Sequence, residues 1–181
     1  MGMSDVMIAE TTDIPRKILE TERLLLRRLT VDDAPFLLEL LNDPSFIRNV
    51  ADRGVRTVSD AENYITTKFL TSYEQHGFGH YLVLLKATGE PVGTCGLMKR
   101  ETVDDVDIGY GFPERFARKG YATESAAAVL RYGREVLGLS RVVGFTSLMN
   151  HASQHVLEKI GLRYEGMRPL PGYDDESMVF A

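Results

Sequence analysis

The first strand and the first helix are marked by a change in the spacing of apolar residues. The run RLLLRRL at residues 23–29 predicts a strand. Thr30 and Asp33, three residues later, form the capping-box pattern that is typical of a helix start. The apolar positions that follow at helical spacing are Ala34, Leu37, Leu38 and Leu41. We therefore expect a helix from residue 34 until the Asn-Asp-Pro sequence at 42–44 ends it.

A second helix and three strands are predicted in the middle of the chain. Ser59 and Glu62 repeat the capping pattern and Gly77 is a typical helix stop, so a helix is expected over residues 60–77. Strand-like runs follow at residues 80–86, 91–100 and 106–111. Because the short turn ATGE joins the first two runs, an antiparallel meander is expected.

The second half of the chain contains the most regular helical pattern. Its apolar positions, which repeat at a period near 3.6 residues, are Ala122, Ala126, Val129, Leu130, Gly133, Val136 and Leu137. The remaining predicted elements are a strand at 141–147, a helix at 151–159, and strands at 162–168 and 176–180.

This order of elements predicts an α+β domain in which helices cover both faces of a central, mostly antiparallel, twisted sheet. The connection from the strand at 106–111 through the long helix to the strand at 141–147 is a βαβ crossover, which makes those strands parallel. If they lie side by side and splay apart at one end, they open a slot in the sheet. We assign residues 18–181 to this single domain and residues 1–17 to a loose N-terminal arm.

Composition and charge limit the classes of partner. The 181 residues carry a net charge of −5, which gives no electrostatic reason to expect nucleic acid or an anionic membrane. No run reaches the roughly 18 apolar residues of a membrane span, and the N-terminus lacks a signal-peptide pattern. Cys95 is the only cysteine, which fits a reducing cytoplasm, the location we predict.

A basic, glycine-containing turn leads directly into the long helix, within the segment FPERFARKGYATES at 112–125. Free N–H groups of the first helical turn, the positive end of the helix dipole and the side chains of Arg118 and Lys119 would point toward a diphosphate. Gly120 would let the backbone approach that ligand closely. No P-loop and no G-x-G-x-x-G after a strand is present, so a diphosphate ligand other than ATP or a dinucleotide is expected. The alternative is a solvated turn.

These residues belong to a longer stretch, IGYGFPERFARKGYATESAAAVLRYGREVLGLSRVVGFTSLMNHASQHVLEKIGLRYEG, that resembles the GNAT superfamily of acyl-CoA N-acyltransferases. The greatest similarity is to its ribosomal-protein N-terminal acetyltransferase branch. The segments ETERLLLRRLTVDDA and GEPVGTCGL also occur where that branch has its first and third strands. The family's pyrophosphate motif, (Q/R)-x-x-G-x-(G/A), falls on residues 117–122, with Ala117 in place of its first residue.

The resemblance implies a set of contacts with acetyl-CoA, the expected cosubstrate. Its diphosphate would meet the backbone N–H groups of Arg118, Lys119, Gly120, Tyr121, Ala122 and Thr123. The pantetheine arm would pair with the backbone of Gly111 and Phe112. Asn150 and Ser153 match the branch's N-x-x-S motif and would face the pantetheine and the thioester, so both are candidate catalytic residues as well.

The expected reaction is attack of an uncharged amine on the thioester, which forms an oxyanion and expels a thiolate. Many members of the superfamily use a tyrosine at the position of Leu157, which cannot serve. Ser153 is our candidate for a hydrogen bond to the departing sulfur, and the alternative is that it only caps a helix. The N–H of Gly111 or Phe112 is the candidate oxyanion donor. Asp107 is the candidate base; it is alternatively an exposed strand-edge charge, and a water chain would suffice for an α-amine.

The histidines predict no metal site. His151 and His155 would share one helix face, but Ala152 stands where zinc peptidases of the H-E-x-x-H type carry their base. His80, at the start of a strand, is either a surface or core residue or part of an acceptor pocket.

Our leading functional hypothesis is an N-acetyltransferase for a primary amine, and the resemblance alone implies a protein N-terminal α-amine as that acceptor. One alternative is a small-molecule amine such as an amino acid, a polyamine or an antibiotic. Another is a non-catalytic CoA-binding sensor, which Ala117 and Leu157 favour. By analogy with relatives, the sheet edge or the C-terminal strands would allow a homodimer.

Overall fold

The structure, a computed structural model, describes residues 16–181 and consists of a mixed sheet with helices on both faces. Its strands are β1 (Lys17–Glu20), β2 (Leu24–Arg28), β3 (His80–Leu85), β4 (Pro91–Lys99), β5 (Val106–Gly111), β6 (Val142–Thr146), β7 (Tyr164–Arg168) and β8 (Ser177–Phe180). Residues 1–15 of the predicted N-terminal arm lie outside the described residues. Lys17 already belongs to β1, a strand that the sequence did not reveal because KILE is short and follows no alternation.

The helices are α1 (Ala34–Asn42), α2 (Pro44–Asn49), α3 (Val58–Tyr64), α4 (Thr71–His76), α5 (Tyr121–Glu135) and α6 (His151–Lys159). A π-helical segment, Ile65–Leu70, connects α3 to α4, so that one helical rod runs to the left-handed Gly77. Within residues 16–181, none of the helices combines the length and the apolar character that a membrane crossing requires.

One helix start differs from the sequence prediction and another agrees with it. The helix expected to begin at the Ser59 and Glu62 pattern is capped instead by Thr57 and Asp60: the Asp60 N–H donates to the Thr57 hydroxyl at 3.0 Å, and the Thr57 N–H donates to the Asp60 carboxylate at 3.1 Å. The same carboxylate also accepts the Arg56 N–H, so the earlier box satisfies more backbone donors. The Thr30 and Asp33 box was predicted correctly, with the Thr30 N–H donating to Asp33 at 2.8 Å.

Two further details of the helices were not expected. Residues 42–44 end α1, but they also begin α2, because Pro44 occupies its first turn and the Asp43 carboxylate accepts the Ser45 N–H at 3.0 Å. Val136 was placed on the buried face of the long helix. It is 68% exposed, since α5 ends at Glu135 and the chain turns away.

The strand order in the sheet is β1-β2-β3-β4-β5-β6-β8-β7. Neighbouring strands are antiparallel except for β5 and β6, which are parallel and are joined through α5. The predicted meander and the predicted crossover are therefore both confirmed. The crossover puts the start of α5 beside the end of β5.

The alternation of side chains along β5 divides the site between two faces. Gly111 lies against Phe46 of α2, so this face of β5 is turned toward α1 and α2. Ile108 has the opposite orientation and pairs with Leu97, which packs on Gly133 of α5. Side chains at 107, 109 and 111 thus share the α1 and α2 face, whereas residues 108 and 110 face α5 and α6.

The observed capping box leads to a stability prediction. Thr57→Ala removes the hydroxyl that accepts the Asp60 N–H and should lower the free energy of unfolding by about 1 kcal/mol. Ser59→Ala is the matched control, since Ser59 is exposed, and should change it by less than about 0.5 kcal/mol. Urea denaturation of both variants measures the difference. Equal losses, or a larger loss for Ser59→Ala, would contradict the assignment of the cap.

Candidate active site

The sheet opens between β5 and β6. Their parallel pairing consists of Val106 with Val142 and Asp107 with Val143, after which β6 pairs with β8 from Gly144 onward. The gap is part of a cavity of about 790 Å³, a volume typical of small-molecule sites. All of the predicted site residues line it: Asp107, Gly111, Phe112, Arg118, Lys119, Gly120, Tyr121, Ala122, Thr123, Asn150 and Ser153. The structure therefore brings together residues that are up to 46 positions apart in the sequence.

The first turn of α5 presents backbone donors at one end of the cavity. Gly120 is the N-cap residue with φ of 80°, and Arg118 has φ of 59°, so two left-handed residues turn the chain into the helix. The first intrahelical bond runs from the Glu124 N–H to the Gly120 carbonyl. The N–H groups of residues 120–123 consequently have no partner within the helix, and no side chain in the described part of the chain caps them. This end of α5 is suited to an anion.

The basic side chains of this turn contribute less than its backbone. Arg118 is 80% exposed and forms an ion pair with Glu114 at 3.0 Å. Lys119 is also exposed and has no ion-pair partner among residues 16–181. Ala117 lines the cavity with a methyl group and offers no polar side-chain contact. An anion at this site would thus be held mainly by peptide N–H groups.

Arg23 connects this turn to the start of β2. Its guanidinium donates to the Lys119 carbonyl at 2.9 Å and to the Glu124 carboxylate at 2.9 Å. Thr21 donates to the other Glu124 oxygen at 2.6 Å, and Arg23 also lies over the Tyr121 ring. Although partial burial acts in the opposite direction, these hydrogen bonds hold the pKa of Glu124 below its ordinary value. The Arg23 charge therefore neutralises the one acid in the first turn of α5.

Ser153 lies beside a tyrosine that sequence reasoning did not single out. The Tyr110 hydroxyl is 2.9 Å from the Ser153 hydroxyl and 3.0 Å from the Ser153 carbonyl. Burial raises the pKa of Tyr110 above its ordinary value, so it is a neutral phenol. The α6 cap is Asn150, whose amide oxygen accepts the Ser153 N–H at 3.2 Å, so the hydroxyl of Ser153 is not used as the cap.

Asp107 is buried rather than an exposed strand-edge charge, since its exposed fraction is 2%. Its two oxygens accept hydrogen bonds from Arg100, at 3.0 Å from Nε and at 3.1 Å from the terminal nitrogen. Burial raises the pKa of Asp107, while the hydrogen bonds from Arg100 oppose that shift. The strand register places this pair on the α1 and α2 face of β5.

Aromatic and basic residues surround the same face. The His80 ring packs on Phe69, with 5.8 Å between ring centroids, and lies against Gly109 of β5. His80 Nε2 is enclosed and has no hydrogen-bond partner among residues 16–181. Burial lowers the pKa of His80 to about 4, and the charges of Arg100 and Arg53 act in the same direction. His80 is therefore neutral at pH 7 and lines the cavity.

A hydrogen bond joins two loops that are distant in the sequence and that both line the cavity. Arg53, between α2 and α3, donates to the hydroxyl of Tyr173, between β7 and β8, at 3.1 Å. Both residues line the cavity. The two loops thus meet at the end of the cavity that lies beyond Asp107.

The site residues that sequence analysis did not identify are those whose roles depend on contacts between distant parts of the chain. Tyr110 is next to Gly109 and Gly111 in the sequence, but only its meeting with Ser153, 43 residues later, reveals a shared role. The signal available for Arg23 was its place in the family-like segment ETERLLLRRL. Leu157, at the position where many members of the superfamily carry a tyrosine, is buried and packs on Gly144 of β6.

His151 and His155, the pair weighed as metal ligands, are both exposed on α6. Nowhere within residues 16–181 do three or more His, Cys, Asp or Glu side chains form a group that could hold a metal ion.

Comparison with known proteins gives a consistent result. Residues 23–163 match the model of the acetyltransferase (GNAT) domain. The chain is 30% identical over 151 residues to the uncharacterized N-acetyltransferase YoaA of Bacillus subtilis (strain 168), covering 83% of this chain and 85% of that protein.

Solved structures share the fold. An acetyltransferase from Agrobacterium tumefaciens str. C58 superimposes with a TM-score of 0.78 at 27% identity, covering 91% of this chain and 92% of that one. RimL, a ribosomal L7/L12 alpha-N-protein acetyltransferase solved in complex with coenzyme A, has a TM-score of 0.77 at 20% identity, covering 91% and 96% of the two chains. The match of residues 23–163 to the GNAT domain and the similarity to YoaA, together with the open strand pair and the free start of α5, establish that the chain belongs to the GNAT family of acetyltransferases.

Proposed function

We propose that this acetyltransferase moves the acetyl group of acetyl-CoA to a primary α-amine, such as the N-terminus of a protein. The observation that carries the proposal is one cavity that contains both the uncapped start of α5 and the Tyr110–Ser153 pair. The first fits a diphosphate, and the second fits the sulfur of a thioester. The structural neighbour RimL acts, by its name, on a protein α-amine.

In the proposed complex the diphosphate accepts hydrogen bonds from the N–H groups of the turn at 118–123. The pantetheine arm lies in the gap between β5 and β6, where Gly111 and Phe112 end the strand without a β6 partner. Gly111 suits this position because Phe46 already occupies the space on its other side. A side chain there would be pressed against that ring.

Arg23 acts in this proposal as a positioning residue for the cofactor. It fixes the Lys119 carbonyl away from the incoming phosphates and neutralises Glu124, whose charge would otherwise repel them. Arg23 does so from the position just before β2, without any need to touch the ligand.

Arg23→Gln should raise the KM for acetyl-CoA roughly threefold to tenfold, because it removes a charge-assisted hydrogen bond and leaves Glu124 unneutralised. The kcat should change little, since no reacting atom is touched. Initial-rate kinetics at varied acetyl-CoA measure both constants. Arg131→Gln, at an exposed arginine farther along α5, is the matched control and should leave both unchanged. An unchanged KM for Arg23→Gln, or a fall in kcat alone, would contradict the positioning role.

For the chemical step, Ser153 is proposed as the group that hydrogen-bonds the departing thiolate. The single proton of the Tyr110 hydroxyl has two acceptors within reach, the Ser153 carbonyl and Ser153 Oγ. In the proposed arrangement it goes to Oγ, which leaves the proton of Ser153 free to point into the cavity. The oxyanion of the tetrahedral intermediate would accept the N–H of Gly111 or Phe112. Asn150 holds Ser153 in place by accepting its N–H.

The attacking amine must lose a proton. Asp107 is the proposed acceptor, directly or through water, because it is the buried carboxylate on the α1 and α2 face of the cavity. Each of its oxygens accepts one hydrogen bond from Arg100 and retains a second lone pair. An α-amine, with an ordinary pKa of about 7.7 to 8.0, requires only a weak base.

Ser153→Ala should lower kcat by about tenfold to a hundredfold and leave the KM for acetyl-CoA within about threefold, because the lost hydrogen bond forms mainly in the transition state. Tyr110→Phe removes the partner that orients Ser153 and should give a smaller loss in kcat. Steady-state kinetics on both variants measure kcat and the KM for acetyl-CoA. Thermal melting checks that both variants fold. If Ser153→Ala raises KM and leaves kcat intact, Ser153 is a binding residue only.

The function itself is tested by thiol release from acetyl-CoA across amine classes: N-terminal peptides, lysine peptides, polyamines, free amino acids and aminoglycosides. We expect release above the acceptor-free rate with α-amines. Release only with lysine peptides, polyamines or aminoglycosides would contradict the α-amine proposal. Thermal stabilisation by CoA without any release would favour a non-catalytic sensor, and no stabilisation would contradict the assignment of the cofactor site.

A further inference from the structure

The cavity is positively charged even though the chain as a whole carries −5. Two of its arginines are neutralised: Arg100 by Asp107 at 3.0 Å, and Arg118 by Glu114 at 3.0 Å. The cavity-lining cations with no ion-pair partner in the described part of the chain are Arg48, Arg53, Lys119 and Lys159. Lys119 belongs to the cofactor turn. The other three leave an uncompensated positive charge elsewhere in the cavity.

Arg53 lies in the wall of the cavity. Its partner Tyr173 and its neighbour Tyr64 line the cavity together with His80 and Asp107. Arg53 and Tyr173 belong to loops other than the turn at 118–123, so this group is separate from the N–H groups proposed to hold the diphosphate. Asp107 lies on the α1 and α2 face of β5, whereas Tyr110 lies on the opposite face.

The guanidinium of Arg53 has unused hydrogen-bonding capacity. It makes one hydrogen bond to the described residues, from a terminal nitrogen to the Tyr173 hydroxyl. A guanidinium has five N–H donors in a planar fork that matches a carboxylate. His80 is a second, independent sign of a ligand, because its enclosed Nε2 has no partner among residues 16–181 while its ring lines the same cavity.

Building on the proposed function, we propose that the acceptor is an amine that bears a carboxylate close to its amino group, and that Arg53 binds this carboxylate. Arg48, on α2, adds to the attraction without a direct role. The carboxylate can be the α-carboxylate of a free amino acid or an acidic side chain next to a peptide N-terminus. The same charges disfavour polyamines, which would bring further positive charge to Arg53 and Arg48.

The test is calorimetric binding of matched acceptors to the CoA-loaded protein. The first pair is serine and serinamide, which differ in the α-carboxylate. The second pair is the peptides Ser-Asp-Ala-amide and Ser-Asn-Ala-amide, which differ in one acidic side chain, and spermidine serves as a cationic amine. In at least one pair the acid should bind about tenfold or more tightly than its neutral partner, as for a hydrogen-bonded ion pair. The discriminating pair identifies the source of the carboxylate.

Arg53→Gln should reduce this discrimination to about threefold or less, and Arg131→Gln should preserve it. Equal binding within both pairs, tighter binding of spermidine, discrimination that survives Arg53→Gln, or no binding by any probe would each overturn the proposal. Because binding is measured apart from turnover, discrimination without thiol release would support the carboxylate site while contradicting the proposed reaction. Thiol release without discrimination between the matched acceptors would support the proposed reaction and contradict the carboxylate site.

Discussion

Hydrogen bonding between β5 and β6 stops after two residue pairs, and the site depends on that interruption. Peptide groups in the interior of a protein need hydrogen-bond partners, so strands that separate leave polar backbone edges facing the gap. The separation is possible because β6 continues by pairing with β8 on its other side. An amide-bearing arm such as pantetheine can take the place of the missing strand contacts. A cofactor-sized gap therefore exists without weakening the sheet elsewhere.

In the proposed complex, backbone groups contribute more than side chains to holding the anionic end of the ligand. The turn at 118–123 points free N–H groups into the cavity, while Arg118 is exposed and is paired with Glu114. This explains why alanine at position 117 is compatible with the site, since no side chain there is required. Arg23 contributes by direct contact with this turn, which it holds in place while it neutralises Glu124.

The sequence predicted the features that local patterns control. Neighbouring residues alone determine three features: the periodicity of α5, the meander and the basic turn before a helix. Each of them was found in the structure. Competing local patterns were harder to resolve: Thr57 displaced Ser59 as a cap because its box satisfies more donors, and Pro44 ended one helix while beginning another. The pairing of Tyr110 with Ser153 and that of Arg100 with Asp107 depend on strand register and helix docking. No short pattern in the sequence encodes them.

In the complex that we propose, acetyl-CoA occupies the gap between β5 and β6 with its diphosphate at the start of α5. A crystal structure of the protein with CoA tests this most directly. We predict phosphate oxygens within hydrogen-bonding distance of the N–H groups of residues 120–123, and the pantetheine arm alongside Gly111 and Phe112. CoA bound elsewhere, or a diphosphate that meets only the side chains of Arg118 and Lys119, would contradict the account.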